Sequence, residues 1–350
     1  MYRGMIYALL AAGLFGVSTP LAKVFLRDVE PVLLAGLLYL GSGAGLAVIQ
    51  VMRLTMSRKS APLVWPKRGE WMWLVGAILV GGVVGPVLLM FGLARTEAST
   101  ASLVLNLEAA FTALLAWYVF HENYDRRIAL GMTAILAGGV VLALGRMETG
   151  SASLGVLLVA AACLCWALDN NLTRKVSASD AILIAGLKGI AAAAVNLSLA
   201  LILGYPMPGA VVVTKVATVG FLGYGLSLVL FVLALRHLGT ARTGAYFAVG
   251  PFFGAVVAVA FFGDAITWQL CLATLLMGFG VWLHLSERHV HDHAHEQLDH
   301  VHSHWHDEHH QHAHPFAWDG AEPHTHPHVH APMVHRHKHF PDIHHRHPHE

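Results

Sequence analysis

Leu93–Glu122 reads LARTEASTASLVLNLEAAFTALLAWYVFHE, and Leu235–Asp264 reads LRHLGTARTGAYFAVGPFFGAVVAVAFFGD. At a constant offset Phe111 falls on Phe253, Ala113 on Ala255, Ala116 on Ala258, Phe120 on Phe262 and Glu122 on Asp264. The two segments carry the fourth and the ninth of ten apolar stretches, so the second five stretches echo the first five. Five is odd. A five-helix unit followed by its copy must cross a bilayer in opposite senses, which makes the two units an inverted repeat. A second echo sets Phe15-Gly16-Val17-Ser18 on Trp166-Ala167-Leu168-Asp169 and Lys23 on Arg174.

The composition agrees with a membrane protein. The chain has 350 residues, 56% hydrophobic and 12% charged, where a soluble protein carries about a quarter charged residues. A spanning helix needs about 20 apolar residues. The stretches at 4–22, 31–52, 72–94, 98–120, 128–144, 154–172, 181–203, 216–235, 243–262 and 268–285 meet or approach that length. The fifth is short and calls for a thinner bilayer or help from its neighbours. The runs are too long for strands and do not alternate. Arg3 ahead of an apolar run imitates a signal peptide, but no small-x-small cleavage site ends it, so it is read as the first spanning helix. Cys163, Cys165 and Cys271 lie inside spans and read as small packing residues, without a disulfide framework.

Lys and Arg concentrate in alternate loops. One set holds Arg3, Arg53, Arg58, Lys59, Lys67, Arg68, Arg126, Arg127, Arg174, Lys175, Arg236, Arg242 and Arg288; the other holds only Lys23, Arg27, Arg95, Arg146 and Lys215. The positive-inside rule places the first set, and both termini, in the cytoplasm. That requires an even number of crossings, which ten satisfies independently of the echo. Trp65, Trp71, Trp73, Trp117, Tyr118, Trp268 and Trp282 sit near span ends as interfacial anchors. Gly81 and Gly85 make a small-xxx-small step that lets helices approach closely. Pro20, Pro86 and Pro251 each free a backbone carbonyl that neighbours or a wet cavity must satisfy.

The stretch Ala94-Arg95-Thr96-Glu97-Ala98-Ser99, continuing through Asn106-Leu107-Glu108-Ala109-Ala110-Phe111 to His121-Glu122, resembles the drug/metabolite transporter superfamily, specifically proteins with two EamA domains. Ala234-Leu235-Arg236-His237 through Gly250-Pro251-Phe252-Phe253 to Gly263-Asp264 carries the same likeness in the second half. The resemblance covers about residues 5–285. It implies ten helices in inverted repeats around a central cavity worked by alternating access, with small metabolites as cargo, often moved outward. The expected fold class is therefore an all-α integral membrane protein of ten transmembrane helices in two inverted five-helix repeats, 1–147 and 148–286, with a disordered histidine-rich tail at 287–350.

Ionisable groups at membrane depth cost several kcal/mol and mark functional sites. Glu108 lies near the middle of the fourth span. Lys188 stands about 10 Å along the seventh, at 1.5 Å per residue. Asp169 lies near the cytoplasmic end of the sixth, followed by Asn170 and Asn171. Glu108 and Lys188 are expected to pair, with Asp169 as competitor for Lys188. Glu108 could also carry a coupling proton. Asn106, two residues from Glu108, faces elsewhere on its helix; Asn196, eight residues after Lys188, extends the same side. The expected substrate-binding set is Asn106, Glu108, Asp169, Asn170, Lys188 and Asn196. The opposing reading is a pair that merely locks helices together.

After Ser286 the chemistry changes. Of the chain's 26 histidines, 23 fall between His289 and His349. They repeat as H-x-H: His289, His291, His293 and His295; His300, His302, His304 and His306; His324, His326, His328 and His330; His335, His337 and His339. So polar a tract cannot bury a core. In extended chain, alternate residues share a face, so neighbouring imidazoles converge on one ion. Imidazole suits Zn, Ni, Cu and Co, and these are the expected tail ligands; transport itself needs no cofactor. The expected partners are the lipid bilayer, a small-molecule substrate, transition-metal ions and a second copy of the chain, with no nucleic acid. There is no P-loop and no catalytic constellation, so an enzyme is not expected. The leading reading is a plasma-membrane secondary transporter, as in a bacterial inner membrane, that exports or exchanges a small organic metabolite. The alternatives are a Ni, Co or Zn transporter and a membrane-anchored metal sensor that uses the tail.

Overall fold

The computed structural model describes residues 2–56, 65–120, 126–144, 151–174, 176, 180–238, 240–285, 289–295, 298–304, 324–330 and 333–339. The chain divides into a helical unit reaching to Glu287 and a tail unit from Arg288.

The helical unit follows the ten apolar stretches. α1 is Tyr2–Phe25 and α2 Pro31–Met56. α3 runs from Trp71 to Arg95 with a π-helical segment at Ile78–Val84. α4 comes in two pieces, Ala98–Val104 and Leu107–Phe120. α5 is Arg126–Leu144, α6 Ser151–Arg174 and α7 Ala181–Ile202. α8 runs through Ala210–Gly220, a π-helical Phe221–Leu226 and Ser227–Leu238. α9 is again in two pieces, Thr240–Phe247 and Gly250–Phe262, and α10 is Trp268–Leu285. Among the described residues seven helices are long and apolar enough to cross a membrane, and shorter apolar helices at Ala129–Leu144, Gly250–Phe262 and Trp268–Leu283 accompany them. Large apolar side chains face outward where lipid would lie, Ile202 at 82% and Phe261 at 79% exposure among them.

The irregularities repeat along with the sequence. The offset that carries Phe111 to Phe253 is 142 residues. Applied to the π-helical segment of α3, it lands on Gly220–Leu226, one residue from the observed segment of α8. Applied to the break in α4 at Leu105 and Asn106, it lands on Phe247 and Ala248, at the break in α9. Contacts between repeat mates show the inversion directly. Along α2 and α7, Gly36 meets Leu197, Gly43 meets Ile190 and Leu46 meets Gly186. Along α5 and α10, Gly131 meets Gly280 and Gly138 meets Ala273. Asp264, just past α9, accepts from the Ser99 N–H at the start of α4 at 2.7 Å, while Gly254 meets Ser102. These helices thus run antiparallel to their copies, as an odd-numbered repeat requires.

The local causes are legible. Pro86 has no N–H to return to the preceding turn, and a widened segment precedes it. Pro251 follows the break in α9 in the same way. Asp180 caps α7, its Oδ1 accepting from the Ile182 and Leu183 N–H groups at 3.0 and 3.1 Å, and Arg53 of α2 binds its other oxygen at 2.7 Å.

In the tail, where the sequence reading expects disorder, the described segments are extended and paired. β1 (His289–His295) pairs antiparallel with β4 (Met333–His339), and β2 (Leu298–His304) with β3 (His324–His330). The H-x-H alternation has the period of a strand, so the feature read as ligand spacing also fits a ladder. His306 lies outside the described residues.

The α2–α7 crossing gives the first prediction. A Cβ on Gly189 would stand 2.9 Å from the backbone of Gly43, whereas one on Gly13 would meet nothing within 4 Å. Gly189→Val should lower stability by about 1–3 kcal/mol through overpacking. Gly13→Ala should not. Thermal unfolding of detergent-purified variants measures both.

Candidate functional site

The polar groups of α4, α6 and α7 meet, but not in the expected pairs. Lys188 Nζ donates to Asp169 Oδ1 at 2.5 Å and Oδ2 at 2.8 Å, and to Thr173 Oγ1 at 3.1 Å. The Thr173 hydroxyl donates in turn to Asp169 Oδ1 at 2.8 Å. Asp169 therefore takes Lys188, and the expected Glu108–Lys188 pair is corrected. The reason is packing. α6 and α7 both pack on the π-helical segment of α3, which brings Asp169 to Lys188, whereas α4 packs on α6 and brings Glu108 to Asn170. Glu108 Oε1 instead accepts from Asn170 Nδ2 at 2.9 Å, and the same amide lies 3.4 Å from Thr112 Oγ1. Asp169 and Asn170 are neighbours in the chain, so the two sets form one cluster. Glu108 is near enough to feel the charges of Asp169 and Lys188.

Asn106 and Asn196 are not brought to this cluster. Asn106 is buried at the α4 break and donates to Leu103 O at 3.2 Å. Asn196 is fully buried and donates to Gly82 O at 3.1 Å. In both, the amide Oδ1 is buried without a hydrogen-bond partner. Asn171 bonds its own helix at Ala167 O, 2.8 Å away.

The carbonyls that Pro86 leaves open anchor the site. Gly81 O accepts from Trp166 Nε1 at 2.9 Å and from the Tyr39 hydroxyl at 3.2 Å. Asp169 packs against Gly81 so closely that no Cβ fits there. In the other repeat, Ser18 packs on Gly223 in the same way. Ser18 is the repeat mate of Asp169, and Gly223 that of Gly81.

The aromatic residues around this point were missed in the sequence. Phe15 lies edge-on to Trp166 at 6.4 Å and to Tyr224 at 6.0 Å, and 5.3 Å from Phe247. Tyr39 lies 5.7 Å from Tyr224, and Phe231 packs on Phe247 at 4.9 Å. Phe15 and Trp166 are repeat mates, so their contact lies where the two halves meet. The signal was present in the echo that sets Phe15 on Trp166, but an isolated aromatic in an apolar run reads as ordinary packing.

The two ends of the unit differ. At the α3–α4 corner, Lys23 Nζ donates to Leu93 O and, at 2.8 Å, to Thr96 O, closing the end of α3 with a cation. Glu97 and Asp264 are near enough to act on the same ammonium. Every residue of Ala98–Val104 is buried. Toward the opposite end Asn170 is exposed and Glu108 only half-buried. Asn170 lies one and two turns beyond the buried Trp166 and Cys163 on the same face of α6. Among the described side chains, no group of three or more His, Cys, Asp or Glu is placed to hold a metal ion.

The family model for EamA-like transporters matches residues 2–144 and again 153–286. The chain belongs to the EamA-like transporter family. It is a membrane protein and a transporter of small molecules rather than an enzyme. An uncharacterized transporter of Methanothermobacter thermautotrophicus is 30% identical over 292 residues, covering 80% of this chain and 85% of that protein. A probable amino-acid metabolite efflux pump of Salmonella typhimurium is 28% identical over 177 residues, covering 48% of this chain and 52% of the pump. A crystal structure with 21% identity matches at a TM-score of 0.61 over 81% of this chain and 98% of its own, which shows the shared fold.

The ion pair gives the second prediction. Its side chains are only 17% and 10% exposed, so removing one partner strands a buried charge. Asp169→Asn should cost about 3–5 kcal/mol, and Asp169→Leu combined with Lys188→Met should regain most of it. Thermal unfolding of the single and double variants checks this.

Proposed function

We propose that this transporter is a secondary carrier that exports or exchanges a small organic metabolite by alternating access across the plasma membrane, with both termini in the cytoplasm. The expected cargo is an amine or zwitterion such as an amino acid. The observation that carries the reading is Glu108, a carboxylate at membrane depth whose hydrogen-bond partner is the neutral amide of Asn170. A ligand ammonium, or a coupling proton, would balance that charge. Asp169 and Lys188 already neutralise one another, so their role is to fix α6 and α7 and to set the field beside Glu108. The half-buried rings of Phe15, Tyr39, Tyr224 and Phe247 supply an apolar and cation-tolerant wall.

Two further features support alternating access. The repeats are antiparallel, so exchanging their conformations would turn an opening at one face into an opening at the other. Lys23 caps the α3–α4 corner at one end, while Asn170 beside Glu108 is exposed toward the other, an asymmetry that fits access from one side. The name of the Salmonella relative favours amino-acid metabolites as the first class to test.

In proteoliposomes loaded with a panel of amino acids, Glu108→Gln and Asn170→Ala should slow transport at least tenfold, a difference of about 1.4 kcal/mol. Thr133→Ala, on an exposed face of α5, should leave the rate unchanged. Full transport by folded Glu108→Gln protein would remove Glu108 from the pathway. A rise in melting temperature with one amino acid would identify the cargo.

A further inference from the structure

The tail's register does more than pair strands. Opposite one another across β1 and β4 stand His289 and His339, His291 and His337, and His293 and His335. Across β2 and β3 stand His300 and His328, His302 and His326, and His304 and His324. In each of these six rungs a histidine stands at the register position opposite a histidine. Because the rungs are two residues apart, each ladder holds its three on one face.

We propose that the tail is a transition-metal site built across strands, in which histidines of β1 join those of β4 around one ion, and those of β2 join those of β3 around another. The argument is geometric. One H-x-H segment offers two imidazoles about 7 Å apart along the strand, and a closed zinc site takes four ligands at about 2.0–2.1 Å. Two neighbouring rungs supply four, with backbones about 4.5–5.5 Å apart across the ladder. A single strand cannot close that set; its partner strand must come from elsewhere in the tail.

The other face fits the same register. Asp292 stands opposite Arg336, an opposite-charge pair, and Val301 opposite Pro327. A slip by one residue would carry a whole strand's histidines to the wrong face. A lone two-stranded ladder is marginal in water, so ion binding and strand pairing are one event, as in small zinc domains. This site does not depend on the transport reading.

The test uses the full chain in nanodiscs, with Zn²⁺ titrated against a chromophoric chelator. Two tight sites are expected. Replacing His289, His291 and His293 with alanine should remove one. Adding alanines at His335, His337 and His339 should remove nothing more, because both sets serve one ladder. Alanines at His289, His291, His293, His324, His326 and His328 together should remove both sites. Losses that simply add for β1 and β4, or no tight zinc at all, would overturn the proposal. A second readout leaves the histidines intact. Spin labels at Val290→Cys and Lys338→Cys, with the native cysteines replaced, should move to cross-strand distance when zinc is added; a distance distribution indifferent to zinc would refute the ladder.

Discussion

Hydrocarbon offers no hydrogen bonds, so every backbone group that leaves its helix must find a partner from the protein. Pro86 creates that demand in the middle of α3. It withdraws a donor, the ladder widens at Ile78–Val84, and the carbonyls of Gly81 and Gly82 turn outward from their own helix. Tyr39 of α2, Trp166 of α6 and Asn196 of α7 answer it. Three helices are thereby tied to one turn of α3. Asp169, one turn beyond Trp166, is held against Gly81 by the same packing, and Lys188 follows Asp169. The placement of the charged cluster is a consequence of where two carbonyls were set free.

The ten helices and their inversion were legible because they rest on long-range averages. Apolar run length, alternate-loop charge and an odd repeat each accumulate over many residues. Pairing within the site was not, because it depends on a few ångströms between helices. Glu108 and Lys188 are matched in depth, and depth is what a sequence reports; azimuth and helix neighbours decide that Lys188 meets Asp169 and Glu108 meets Asn170. Asn106 and Asn196 show the same limit. A polar residue in an apolar run signals that something must be satisfied, but not whether the partner is a ligand or a carbonyl next door. The paired π-helical segments could have been suspected from the glycines at 81, 82 and 85 and at 220, 223 and 225, since both clusters fall at equivalent places in the repeat.

The repeat preserves geometry more faithfully than chemistry. Gly81 and Gly223, the two π-helical segments and the two broken helices superimpose in sequence at one offset. Yet the residue packed on Gly81 is Asp169, and the residue packed on Gly223 is Ser18. Glu108, Asp169 and Lys188 have no charged counterparts at Gly250, Ser18 and Gly36 or Leu37. The charged cluster therefore lies to one side of the plane where Phe15 meets Trp166.

That asymmetry has an energetic meaning. Perfect inverted repeats would give two states of equal free energy, open to either face. Here the Lys23 closure and the Asp264 bond to Ser99 hold one end, while the charged cluster lies toward the other. A ligand shifts such an equilibrium only by its differential affinity for the two states. A cation bound at Glu108, as proposed, would change the charge balance beside Asp169 and Lys188. In the proposed exchange, a driving ligand acts through the cluster that α4 shares with α6 and α7, and the contacts of Phe15 with Trp166 and Tyr224 couple the two repeats.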